Sequence, residues 1–435
     1  MAEVGAGKGK TVYKGHIVSP ESESSYIDLK DGYLVVDSEG KIVALGAASE
    51  MDLDNEHIYD GIKVVDLGDK LILPGFIDMH VHLPQVTQTG RSGQHLLKWL
   101  EKYIFPAEAR FKDVDYAERI ARWFFDELLR NGTTTACVFT TIHKDSTDRA
   151  FSVAEELGNR VIMGKVLMDR NSPTDLTEDV GEAIEASLAL YERWHDKDRG
   201  RLKYAFIPRF AVTSSPELLA EVGKAWHQSK GSYLHTHLAE SHGEVELVKS
   251  LFPDSRSYVD VYQKHDLLGE RTIFAHSIHL DDHDLKSLGG KDCSLAHCPS
   301  SNFFLKSGVF QWQRVKQAQI RFGLGSDVAA GPEMTIFQVM KDANYIQPED
   351  WLTPRELFYR ATLGGAVALG IEEETGSLAA GKDADFIIVD PTRRGAIARD
   401  ILSADTEDIL SSLVFLGDDR CIEATYIRGE AVYSA

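Results

Sequence analysis

The feature that most restricts the fold is a series of eight apolar strand candidates through the middle of the chain, most of them separated by helical stretches. The strands are Ile72–His82, Thr133–Phe139, Arg160–Met168, Lys203–Val212, Ser232–Leu238, Arg271–Ile278, Cys293–Cys298 and Gln319–Gly325. Ala117–Asn131, Leu176–Trp194 and Pro216–Gln228 read as helices between them. Near-continuous apolar runs suit strands covered on both faces, and helices supply the crossovers that parallel strands require. Eight such units predict an α/β chain closed as a (β/α)8 TIM-type barrel, with its chemistry at the C-terminal ends of the strands. An open doubly wound sheet is the rival architecture, but no G-x-G-x-x-G follows the first strand.

The two ends of the chain have a different texture. Thr11–Val18, Tyr33–Val36, Lys41–Gly46 and Lys63–Asp66 read as short strands separated by turns such as Asp31-Gly32 and Glu39-Gly40. Asp385–Val389, Ile422–Gly429 and Ala431–Tyr433 repeat the pattern in the tail. The expected organisation is a small β-sandwich domain built from residues 1–70 and 376–435, beside a barrel spanning 71–375.

Composition narrows the partners. With 47 basic and 68 acidic residues the net charge is −21, which argues against nucleic acid, whose affinity comes from neutralising phosphates. A free base carries no phosphate and is not excluded. The four cysteines form no C-x-x-C pair, so a reduced, cytoplasmic setting is expected rather than a disulfide framework. The first residues lack the apolar core of a signal peptide, and no apolar run approaches membrane-span length, so no membrane partner is expected.

The chemistry-bearing residues gather at strand ends. The first barrel strand ends in Asp78-Met79-His80-Val81-His82, and alternation along a strand turns His80 and His82 to the same face. Alone, this pair fits either a metal site or two hydrogen-bonded histidines. The fifth strand ends in His235-Thr236-His237-Leu238-Ala239-Glu240, the sixth in Ala275-His276, and Gly325-Ser326-Asp327 closes the eighth. His80, His82, His237 and Asp327 then offer three nitrogens and an oxygen with a position left for water, an open catalytic-type site for one zinc, or iron. Glu240, beside the metal but not on it, is placed to take a proton from the activated water and pass it on. A helix-start glutamate is the competing reading of that residue. His276 either touches the metal or orients the water and polarises the substrate. His235 reads as a core residue behind the ligands, and Cys298 as part of a loop, having no designated base.

Pro74-Gly75-Phe76-Ile77-Asp78-Met79-His80-Val81-His82 resembles the opening strand of the amidohydrolase superfamily. The resemblance narrows to guanine deaminases at Leu83-Pro84-Gln85, at Leu97–Glu108, at Pro208–Thr213, at His297–Asn302 and at Leu416–Arg420. It implies a homodimer with one zinc per chain that converts guanine and water to xanthine and ammonia. It also implies that His80, His82, His237 and Asp327 ligate zinc, that Glu240 shuttles the proton, and that Gln85, Arg209 and Phe210 hold the purine. An amide offers both a donor and an acceptor to a base edge, a guanidinium donates to an oxo group, and an aromatic ring gives the base a packing surface. One loop departs from the resemblance: Pro332 and Glu333 stand where bacterial members carry small hydroxyl residues, which bears on substrate scope.

The nearest rival is another aminohydrolase, acting on a pterin, a triazine or an adenine-type base with the same metal and Glu240. A two-metal cyclic amide hydrolase would need a bridging lysine at the end of strand four, where Pro208-Arg209-Phe210 stands and the nearest lysine, Lys203, is at the strand's start. A non-catalytic protein on the same barrel has no need of the full ligand set.

Overall fold

A computed structural model describes residues 9–51, 63–91 and 94–435. Met1–Lys8, read above as lacking a signal-peptide core, lie outside this range. No helix among the described residues is long and apolar enough to cross a membrane.

The N-terminal strands are β1 (Thr11–Pro20), β2 (Tyr26–Val36), β3 (Ile42–Ala47) and β4 (Lys63–Pro74). The barrel follows as β5 (Phe76–His82), β6 (Thr133–Phe139), β7 (Arg160–Gly164), a two-residue β8 (Val166–Leu167), β9 (Leu202–Pro208), β10 (Tyr233–Leu238), β11 (Thr272–His276), β12 (Ser294–His297) and β13 (Arg321–Leu324). The tail adds β14 (Phe386–Val389), β15 (Ile422–Ile427) and β16 (Glu430–Ser434).

Strands β5, β6, β7, β9, β10, β11, β12 and β13 pair in parallel and in chain order, with β8 beside β9. The segment after β13 closes the ring onto β5: Asp327 N donates to His80 O at 2.8 Å, and His82 N to Val328 O at 3.3 Å. The expected eight-stranded barrel is therefore present. Its helices follow the local signals. Val114–Arg130 buries Ala117, Ala121, Phe124 and Leu128 along one face and is capped by the Asp113 side chain. Pro216–Gln228 begins with proline just inside a Ser215 cap, where a missing N–H costs nothing.

The terminal strands form one seven-stranded sheet in the order β16-β15-β14-β4-β1-β2-β3. It curls so that Tyr13, Leu34 and Ile42 share a core with Leu378, Phe386 and Ala424. The run Ile72–His82, read as one strand, is two. Gly75 carries the chain from the small sheet into the barrel, and a β-carbon there would stand 2.1 Å from Thr134 Oγ1, so only glycine allows the crossing. Continuous apolarity hid the break because both sheets bury their strands.

Beneath the barrel, at the N-terminal ends of its strands, Arg160 at the start of β7 is 2% exposed and grips three carboxylates: Glu374 at 3.0 Å, Asp385 at 3.0 Å, and Asp383. Lys41 and Arg428 bind Asp383 as well, so this knot joins barrel and small sheet.

Candidate active site

At the opposite end the strands deliver their polar residues to one cavity, with about 360 Å3 of free space counting its open mouth, lined by His82, Gln85, Arg209, Phe210, His237, Glu240, His276 and Asp327 among others. The pleat of β5 turns Asp78, His80 and His82 inward. Asp78 accepts from Ser326 N and Oγ, and this bond fixes the turn that presents Asp327. Ala239, His276, Ser277 and Asp327 all have positive φ, between 48° and 66°. Such backbone is strained for residues other than glycine, at about 1–3 kcal/mol each, and gathers at sites that need side chains aimed inward.

Four donor atoms converge. His82 Nε2 lies 3.1 Å from His80 Nε2 and 3.2 Å from His237 Nε2. Asp327 Oδ1 is 3.4 Å from His80 Nε2 and 3.2 Å from His82 Nε2. Donors held at about 2.0–2.2 Å around a tetrahedral ion stand about 3.3 Å apart, so these spacings match the edges of a zinc-sized polyhedron. The tautomers agree. His237 Nδ1 donates to the Arg209 carbonyl at 2.7 Å, which leaves a lone pair on Nε2 facing the cluster. Burial lowers the pKa of His80 to about 3, that of His237 well below the imidazole range and that of His82 below its ordinary value, so burial favours the neutral form of all three. Burial raises the Asp327 carboxyl, but hydrogen bonds to His80 and His82 outweigh it and hold it well below the usual carboxylate range. Three imidazole nitrogens and an anionic oxygen at that spacing are the ligand types a borderline divalent cation takes. The donor set therefore fits a divalent metal. His276 belongs to a second grouping, with His80, His237 and Asp327, whose ligand atoms lie within 4.8 Å of one another.

Glu240 is 3% exposed, and its Oε2 lies 3.6 Å from His276 Nε2. Its Oε1 accepts from Ser307 Oγ at 3.1 Å. Burial raises its pKa to about 7, against the pull of His276. The helix-start reading of Glu240 does not hold, because the helix His242–Leu251 is capped by Ser241 and Glu244 in a capping box. His276 Nδ1 bonds Asn302 Oδ1 at 3.0 Å, while its Nε2 has no hydrogen-bond partner among the described residues and faces Glu240 and Asp327 at 3.6 and 3.7 Å. Burial opposes a charge on His276, but Glu240 and Asp327 raise its pKa.

His235 is a buried neighbour of His80, 3.0 Å from its Nδ1. Cys298 is buried with its thiol pushed up by burial, and Sγ points to the Ala296 carbonyl, a structural arrangement. His297 stacks on Phe310. Lys203 pairs with Asp196 and Glu374 at the far end of β9 and cannot bridge metals at the mouth. Of the loop after Asp327, only Ala330 lines the cavity; Pro332 and Glu333 do not. Sequence reasoning gave no role to Asn302 or Ser307. Their signal was position, in the segment after the seventh barrel strand, Asn302 in the short helix Pro299–Phe304 and Ser307 just past it.

A closed parallel barrel with three histidine nitrogens and a carboxylate at its mouth is the framework of a metal-dependent hydrolase. The Amidohydrolase family pattern matches residues 71–432, and the chain belongs to that family. The guanine deaminase of Escherichia coli (strain K12) is 40% identical over 421 residues, covering 96% of this chain and 94% of that protein. A solved structure of E. coli guanine deaminase superposes with a TM-score of 0.92 at 38% identity, covering 98% of this chain and 99% of that one. Guanine deaminase from C. acetobutylicum, solved with guanine bound in its active site, superposes with a TM-score of 0.90 at 30% identity, covering 98% of this chain and 100% of that one.

Proposed function

We propose that this chain hydrolyses guanine to xanthine and ammonia, using one zinc held by His80, His82, His237 and Asp327, with iron the alternative ion. The observation that carries the reading is the cavity itself, where the four-donor cluster, a buried carboxylate and an Arg209–Gln85 wall face one another. When bound, the ion acts as a Lewis acid that lowers the pKa of water toward neutrality.

The protein's own groups do the rest. Glu240 takes the water proton at Oε2, since Oε1 is engaged by Ser307. It returns that proton to the departing amine, so water adds its oxygen to the ring carbon and ammonia leaves. A pKa near 7 suits a group that must accept and then donate. His276 orients the water through the nitrogen that Asn302 leaves free. Phe210, buried beside His237, packs against the base, and Arg209 donates to its oxo group. Arg209 also binds Glu108 while it lines the cavity.

The same reading makes the protein a cytoplasmic homodimer. Four buried cysteines without a disulfide support the compartment, and the family likeness supports the dimer. Ammonia release measured on guanine, adenine, a pterin and a triazine tests the function. Guanine is expected to lead in kcat/KM by at least ~10-fold, since a buried donor left unpaired costs about 1–3 kcal/mol. Faster release from any other base in the panel overturns it.

A further inference from the structure

The buried carboxylate of Glu108 stands behind the wall of the cavity and touches both polar side chains of that wall. Arg209 Nη1 donates to Glu108 Oε1 at 2.7 Å and to Oε2 at 2.6 Å. Gln85 Nε2 donates to Oε1 at 3.2 Å. All three residues are 2% exposed. Glu108 lies in the short helix Phe105–Ala109, which places it close to the barrel mouth although it comes from none of the barrel strands.

A carboxylate only accepts, so the atom that Gln85 turns toward it is the amide nitrogen. The amide oxygen is then the atom that Gln85 offers to the cavity. Only one Arg209 nitrogen is engaged by Glu108, so the guanidinium presents its remaining donors. We propose that Glu108 is a positioning residue that fixes the polarity of the pocket: an acceptor at Gln85 beside donors at Arg209. This inference rests on the deaminase reading above and refines its substrate class. The complementary ligand edge is a lactam, a ring N–H next to a carbonyl. An amidine edge, a bare ring nitrogen next to an amino group, meets acceptor with acceptor and donor with donor.

Guanine and 2,6-diaminopurine test this directly, because both carry the 2-amino group and differ in that edge. Wild-type protein is expected to favour guanine in kcat/KM by at least ~10²-fold, as sites built around a hydrogen-bonded edge do. Glu108→Gln keeps the shape but can donate or accept, so Gln85 is free to turn over. The preference is expected to fall at least ~10-fold, mainly through KM, while Glu108→Asp, still acceptor-only, keeps most of it. Equal loss on both bases in Glu108→Gln, or no wild-type preference, or an Asp variant as unselective as the Gln variant, overturns the proposal. Where Glu108→Gln does not fold, Arg209→Met with and without Glu108→Gln removes the stranded guanidinium, and the same drop in preference is expected between those two. If wild-type protein releases no ammonia from guanine, the deaminase reading fails. Equilibrium binding of the two bases still reads the polarity, and equal affinities reject it.

Discussion

The two ends of the barrel hold two buried clusters of ionisable groups, and they are solved in opposite ways. Beneath the strands, Arg160 meets three carboxylates, and Asp383 meets Arg160, Lys41 and Arg428, so each of these two charges has three opposites. At the mouth, three imidazoles and Asp327 point at one another, and His276 Nε2 and His82 Nδ1 have no hydrogen-bond partner among the described residues. Breaking a buried charge knot costs stability, whereas imidazole nitrogens and a carboxylate converging at metal-edge spacing are the ligand set of a cation. One end holds the molecule together; the other is prepared for a ligand.

Four measurements press on that contrast. Stripping the metal with a chelator is expected to abolish turnover and to lower the melting temperature, since binding to the folded state alone stabilises it. A metal-free protein of unchanged melting temperature and activity erases the difference between the two ends. Glu240→Gln is expected to lower kcat by at least ~10²-fold while elemental analysis still finds one metal per chain. Loss of the metal in that variant would make Glu240 a ligand instead. Arg160→Met should do the reverse of the mouth variants, removing about 3–5 kcal/mol of stability in urea titration while the folded fraction keeps its kcat. An activity loss without a stability loss would move Arg160 out of the scaffold.

The smallest effect is in acid. Burial raises the Asp383 carboxyl, but Arg160, Lys41 and Arg428 outweigh it and hold its pKa far below the ordinary value. A carboxyl with a depressed folded pKa adds stability that is complete above its unfolded pKa, about 3.9, and is lost as pH falls toward the folded value. Wild-type urea midpoints are therefore expected to fall below about pH 4, and less steeply in Arg160→Met. Parallel pH profiles for the two proteins would show that Arg160 does not set the Asp383 titration.

Much of the architecture can be read from the chain because it is written locally. Each barrel strand is an apolar run, and the clustered histidines and Asp327 fall at run ends, where a barrel puts its chemistry. What escaped depends on partners far apart in sequence. The break at Gly75 is invisible because β4 and β5 are equally apolar, and only the approach of Thr134 shows why glycine is there. The grips of Ser307 on Glu240, and of Asn302 on His276, join segments that no periodicity links.

The sheet order has a consequence for how the chain assembles. β4 is followed, with only Gly75 between, by the strand that carries His80 and His82, yet its neighbour β14 lies more than three hundred residues further along the sequence. Pairing so distant in the chain is slow, because a large loop must close before any contact rewards it. During synthesis, β4 therefore waits with an open edge until β14 has been made. The histidine-bearing strand thus follows directly on one whose pairing is completed late.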